Sequence, residues 1–133
     1  MKIRVYGEPA PQGSKTAVVR NGRAIMFESS KKLPGWRETV AMACRVAAME
    51  YDVPLLGPID LKLVFHMPRP KSVSRQYPNT MPDLDKLIRS IGDSLQSSGV
   101  LSNDGQIVSI IADKVYAVSP GDMGVEIEVT KKP

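Results

Sequence analysis

From Leu84 onward the apolar residues Leu84, Leu87, Ile88, Ile91 and Leu95 recur at spacings of three and four, and the pattern stops near Ser97-Ser98-Gly99. A helix with one such stripe needs an apolar surface to lie on. Neighbouring segments of a different period offer it. In "DLKLVFHM", Asp60 to Met67, the residues Leu61, Leu63 and Phe65 alternate with Lys62, Val64 and His66, as in a strand with one strongly apolar face. "QIVSIIADKVYAV" and "MGVEIEVT" read as two further strands joined across the turn residues Ser119-Pro120-Gly121-Asp122.

Upstream, "KIRVYG" alternates with Ile3 and Val5 on one face and runs into the Pro/Gly-rich loop "GEPAPQG". "AVVRNGRAIMF" places Asn21-Gly22 between two β-favouring runs, the dipeptide of a type I′ hairpin turn, where both central residues take positive φ. After "SSKKLPG", the segment from Trp36 to Met49 spaces Trp36, Val40, Ala43, Cys44 and Ala47 along one helical face, and Pro34 suits its first turn. The order is strand, hairpin, helix, strand, helix, strand, strand. This predicts one α/β (α+β) domain over residues 1–133, a mixed sheet with two helices on one face. The other face is then either solvated or covered by a second subunit.

The chain carries 18 Lys plus Arg against 14 Asp plus Glu, a formal net charge of +4, which favours a polyanionic partner such as nucleic acid. Cys44 is the lone cysteine, so no intramolecular disulfide forms and a small buried apolar role is expected. No apolar run approaches the roughly 20 residues of a membrane span, and "MKIRVYGEPAPQ" lacks the hydrophobic region of a signal peptide. A soluble cytoplasmic protein without membrane association is expected.

Against this basic background, "MPDLDKLIRS" sets Asp83 and Asp85 either side of one leucine, and Asp93 and Asp104 follow. Residues two apart lie about 200° apart on a helix but point the same way in an extended segment. Pro82 biases the approach towards extended backbone, and an extended segment from Pro82 to Asp85, with the helix beginning there, would aim both carboxylates at one spot. Asp104, in "SNDGQ" ahead of a strand, can return to the same end of the sheet, so that three acids can converge. Two such charges about 4 Å apart repel by about 4 kcal/mol at an effective dielectric near 20, unless a cation neutralises them or one is protonated. A hard divalent ion would do so, and would turn the acidic patch into part of a phosphate-binding surface.

A plainer reading makes Asp83 or Asp85 a helix cap or first-turn acid, and Asn103-Asp104-Gly105 a turn. Arg89, four residues from both Asp85 and Asp93, can likewise bridge two acids on an exposed face. Other motifs carry less. "GEPAPQGSKT" has Gln12 where a phosphate-binding loop needs glycine, and its prolines lack amides, so a turn is expected. The restriction-type nuclease pattern begins with Pro82-Asp83, but Asp113-Lys114 lacks the spacer and Asp60-Leu61-Lys62 comes too early. His66 has no second histidine and is read as a structural residue opposite the Leu61, Leu63 and Phe65 face.

"PDLDKLIRSIGDSL" followed by "GVLSNDGQIV" resembles the RusA-type Holliday junction resolvases, metal-dependent endonucleases of bacteria and their phages. "VYGEPAPQGSK" resembles that family's opening strand and turn, and "LKLVFHMPRP" the strand before its basic loop. The resemblance is loosest from Trp36 to Leu56. It implies a homodimer with Mg²⁺, or Mn²⁺ as a substitute, held at Asp83, Asp85 and Asp104, no nucleotide cofactor, and paired symmetric nicks in four-way junction DNA. It leaves open whether the gene belongs to a phage or to its host.

Three positions depart from the family pattern. Lys86 replaces an asparagine, Asn103 an acid, and Arg89 a functional lysine one turn into the helix. Arg89, still able to hold a phosphate, is the fourth catalytic candidate. Asp93 matches a recurrent acid with no assigned metal role. Arg69, Lys71 and Arg75 of the loop "PRPKSVSRQYPNTMP", with Lys86 and Arg89, are the expected DNA contacts. Tyr77 in that loop either stacks on an unpaired base or packs, and packing is the expectation. Two other readings remain: a junction-binding dimer that has lost cleavage, and a structural dimer whose acids only cap a helix.

Overall fold

The computed structural model describes residues 1–12, 15–28 and 32–133, with side chains at 1–12, 21–23 and 32–133. Its elements follow the expected order: β1 (Lys2–Tyr6), β2 (Lys15–Arg20), β3 (Arg23–Glu28), α1 (Leu33–Ala48), β4 (Ile59–Met67), α2 (Leu84–Ser97), β5 (Ile107–Tyr116) and β6 (Gly124–Lys131). Gly13 and Ser14 of the expected turn, and residues 29–31 ahead of the first helix, lie outside the described residues.

Four strands form a mixed sheet in the order β1-β6-β4-β5, in which β4 and β5 are parallel and the other pairs antiparallel. A parallel neighbour requires a crossover, and α2 supplies it. The strands β2 and β3 form a separate two-stranded ribbon around Asn21 (φ 51°) and Gly22 (φ 75°), the two positive angles of the expected type I′ turn.

Alternation along β4 sends Ile59, Leu61, Leu63, Phe65 and Met67 into the core, where Trp36, Val40 and Cys44 of α1 and Leu87, Ile91 and Leu95 of α2 meet them. Both helices therefore cover one face, and the domain is α+β. The two helices close on each other through small polar side chains. Trp36 Nε1 donates to Ser90 Oγ at 3.2 Å, and Ser90 Oγ donates to the Leu87 carbonyl at 2.7 Å, so neither buried polar group is orphaned. Helix α1 starts at Leu33, one turn earlier than the apolar spacing indicated, because Leu33 is itself buried and Pro34 fits the first turn. Cys44 is buried as expected, and burial pushes its thiol up to about 11.

The opposite face is charged in alternation. Glu128 of β6 lies between Lys2 and Lys62 in register, and Glu126, flanked by Arg4 and Val64, bonds His66 Nε2 at 2.7 Å. That is the composition of a solvated face, and it gives His66 the structural partner its sequence position suggested. Among the described residues no helix is long and apolar enough to cross a membrane.

Leu63, fully buried at the centre of β4, tests this core. Leu63→Ala is expected to lower unfolding free energy by about 2–5 kcal/mol in urea denaturation, the range for a large-to-small change in a packed interior.

Candidate functional site

Asp83 is the residue at the entrance of α2, in extended backbone (φ −69°, ψ 141°), and its carboxylate makes no capping hydrogen bond. The backbone thus adopts the cap conformation while the side chain stays free of that task. Asp83 and Asp85 are both exposed, but Leu84 between them is the first helical residue, so the extended approach expected to run through to Asp85 ends at Asp83 and Asp85 lies in the first turn of the helix. Lys86 Nζ stands 3.9 Å from Asp83 Oδ2, so one expected DNA contact is partly engaged with the site itself. The approach to Asp83 runs through a cis Met81–Pro82 peptide. Its carbonyls are held from the sheet: Lys114 Nζ donates to Thr80 O at 2.8 Å and to Pro82 O at 2.9 Å.

Asp104 arrives from the other side of the crossover. It opens a 3-10 turn, Asp104–Gln106, whose capping is done by its neighbours: Asn103 Oδ1 accepts from Gly105 N at 2.7 Å, and Gln106 Oε1 accepts from Asn103 N at 3.1 Å. Gln96 Oε1 accepts from Asp104 N at 3.0 Å and ties the turn to α2. Asn103, where the family pattern has an acid, is therefore a structural cap, and the Asp104 carboxylate is relieved of that role. It lies against Gly92, where an added methyl group would meet Asp104 Cβ at 3.8 Å and Oδ2 at 3.9 Å.

This contact is about 10 Å along the helix from Asp85, at a rise near 1.5 Å per residue. Asp104 faces a cleft of about 380 Å³ together with Arg89, Asp93 and Gln12. Arg89 is exposed and forms no ion pair with Asp85 or Asp93, contrary to the bridging arrangement that spacing allowed. Asp93 instead accepts from Gln12 Nε2, and the Gln12 backbone N–H donates to Lys86 O at 2.9 Å.

The basic loop is organised around Tyr116 at the end of β5. The Arg69 guanidinium lies over its ring, 5.0 Å from the centroid, and Arg75 Nε donates to its hydroxyl at 2.8 Å. Lys71 is exposed and has no hydrogen bond or ion pair among the described residues. Tyr77 corrects the packing expectation: it is 59% exposed, because the loop's apolar anchor is buried Pro78 rather than the tyrosine.

Residues 7–130 of the 133 match the family described as Endodeoxyribonuclease RusA. The chain belongs to the RusA family. It is also 28% identical over 132 residues, covering 90% of each chain, to the uncharacterized protein YqaN of Bacillus subtilis (strain 168). Membership makes this RusA family protein an endodeoxyribonuclease by kinship.

The exposed carboxylates at the α2 entrance are hard oxygen donors of the kind a divalent cation takes. Among the described residues, however, no three His, Cys, Asp or Glu side chains form a group able to hold a metal ion. The described residues therefore present no closed three-carboxylate nest. The contacts of Gln12, Lys114 and Tyr116 have no local sequence signal, because each is made with a partner distant along the chain. Gly92 carried a faint local signal, a glycine inside an otherwise regular helical stripe.

Gly92 gives a direct test of the Asp104 contact. A methyl group there meets Asp104 only at ordinary contact distance, so Gly92→Ala is expected to stabilise the protein by about 0.5–1 kcal/mol through helix propensity. Urea unfolding reads the gain; a loss instead would mean that α2 and the Asp104 turn pack more tightly than described.

Proposed function

We propose that this RusA family protein is a Mg²⁺-dependent, structure-selective endonuclease of the cytoplasm that resolves four-way DNA junctions by paired symmetric nicks, acting as a homodimer in recombination and repair. The observation that carries the reading is the uncapped, exposed Asp83–Asp85 pair at the α2 entrance, beside a basic loop, in a chain that matches the family over residues 7–130. Asp83, Asp85 and Asp104 are the proposed metal-binding residues, with Mn²⁺ as a substitute ion. Mg²⁺ is commonly held by one or two carboxylates plus substrate phosphates, which suits a chain whose acids do not close a nest unaided. When bound, such an ion neutralises phosphoryl charge and lowers the pKa of a bound water.

The chain's own residues have separate tasks in this reading. Arg89, exposed and without an ion pair among the described residues, holds a phosphate beside the scissile bond through its planar guanidinium. Lys86 and Lys71 meet the flanking backbone. Arg69 and Arg75, already gathered on Tyr116, present a second cationic point. The dimer reading draws on β5, one of the two edge strands of the four-stranded sheet, where Val108, Ile110 and Ile111 are 57%, 42% and 65% exposed. An apolar open edge is a surface that a second copy can cover. Two sites related by a two-fold axis match the symmetry of paired cuts in opposing strands.

Cleavage of a labelled synthetic four-way junction, beside linear duplex, tests the reading. Symmetric Mg²⁺-dependent nicks are expected in the junction alone, with rates lowered about 100-fold or more in Asp83→Asn, Asp85→Asn and Asp104→Asn, the scale for groups that stabilise transition-state charge. Arg89→Lys restores the family's residue and is expected to retain activity. Tight junction binding by the parent without nicks would establish the binder that has lost cleavage, and neither binding nor nicking would leave the acids as helix-entry residues. Lys71 supplies a measurement independent of cleavage: Lys71→Ala is expected to reduce the slope of log K against log salt for junction binding by about 1.

A further inference from the structure

We propose that Lys114 is a positioning residue for the nuclease site: its ammonium fixes the carbonyls of Thr80 and Pro82, and so sets the direction in which the Asp83 carboxylate leaves the entrance of α2. The inference rests on the endonuclease reading for its functional consequence, and on geometry for the rest.

Register places Ile110, Ala112, Lys114 and Tyr116 opposite Leu61, Leu63, Phe65 and Met67, the row of β4 that faces the core. A lysine in that row has an apolar neighbourhood for its stem and must carry its charge out. The half-buried side chain does so at the open edge of the sheet, where its head meets two backbone carbonyls and no carboxylate among the described residues. A full charge is thus committed to the backbone just ahead of Asp83.

The loop from 68 to 82 needs this support. Pro68, Pro70, Pro78 and Pro82 have no amide hydrogen, so the segment is short of backbone donors. Cationic side chains take their place: Arg69 reaches Val73 O and Arg75 O, and Lys114 reaches Thr80 O and Pro82 O. Among the described residues, the hydrogen bonds linking residues 80–82 to the sheet both come from Lys114. The Pro82 carbonyl shares a planar peptide unit with the Asp83 nitrogen, so fixing that oxygen orients the unit from which the Asp83 side chain departs. A carboxylate that acts on a phosphodiester needs its direction held to about 10–20°. Lys114 also lines a cleft of about 220 Å³ with Arg75, Thr80, Pro82 and Tyr116, which places it against the basic loop and the segment that leads into α2.

A competing role exists for an inward-facing charge on an edge strand, the discouragement of edge-to-edge pairing between copies. Lys114→Met keeps the stem and removes the donors, while Lys114→Arg keeps charge and donors. Two measurements on the full-length chain separate the roles.

Hydrogen exchange of the metal-free protein reads positioning without any reaction. In Lys114→Met, exchange in a peptide spanning residues 79–87 is expected to rise about tenfold, with α1 unchanged. Unchanged exchange there overturns the inference whether or not the protein cuts DNA. In the junction assay, Lys114→Met is expected to lower the saturating nicking rate about 10–100-fold, the scale for outer-shell supports, with junction affinity within about twofold and most of the rate recovered in Lys114→Arg. A nicking rate equal to the parent's, or a parallel loss of junction affinity, overturns the positioning role. A parent that neither nicks nor binds junctions instead defeats the endonuclease reading, and the exchange result then judges Lys114 alone.

Discussion

Burial of the α2 stripe is the constraint on which the site depends. Leu87, Ile91 and Leu95 are fully buried in the core they share with Leu61, Leu63 and Phe65, and each such side chain contributes about 1.5–3 kcal/mol relative to exposure. That burial fixes the rotation of α2 about its axis. Asp85, Arg89 and Gln96 are left on the outward side, and Gly92, itself buried, opens the space that Asp104 approaches. Turning the helix by one residue, about 100°, would bury the charges and expose the stripe. Hydrophobic packing thus sets the directions of the polar groups.

The elements were legible because their signals are local. Periods of two and of three to four mark β4 and α2, and Asn21-Gly22 marks a turn whose backbone demands positive φ at both positions. The capping of the Asp104 turn was less legible: an Asn-Asp-Gly sequence reads equally as a turn or as a ligand, and the distinction lies in Asn103 and Gln106 taking the structural bonds. Long-range partnerships had no local signature. Gln12 meets Asp93 across 81 positions, which is also why the helical-surface pairing of Arg89 with Asp93 is not the arrangement found. Lys114 meets Pro82 across 32 positions, in a strand where a lone lysine in an apolar row was the faint clue. Tyr77 was misjudged because a proline supplied the anchoring that an aromatic was expected to give.

The acids hang on two separate scaffolds. The α2 entrance is held by the loop and Lys114, whereas Asp104 is held by Asn103, Gln96 and Gln106. Gln106 Nε2 also donates to the carbonyls of Leu55 and Gly57 at 2.8 and 3.0 Å.

Tyr116 brings Arg69 and Arg75 together through two different faces of its chemistry, the ring for one guanidinium and the hydroxyl for the other. Long cationic side chains ordinarily lose rotamer freedom when they clasp an anion, at about 0.5–1.5 kcal/mol each. Here Tyr116 already holds both guanidiniums, so part of the ordering needed to gather them on one anion is made within the fold.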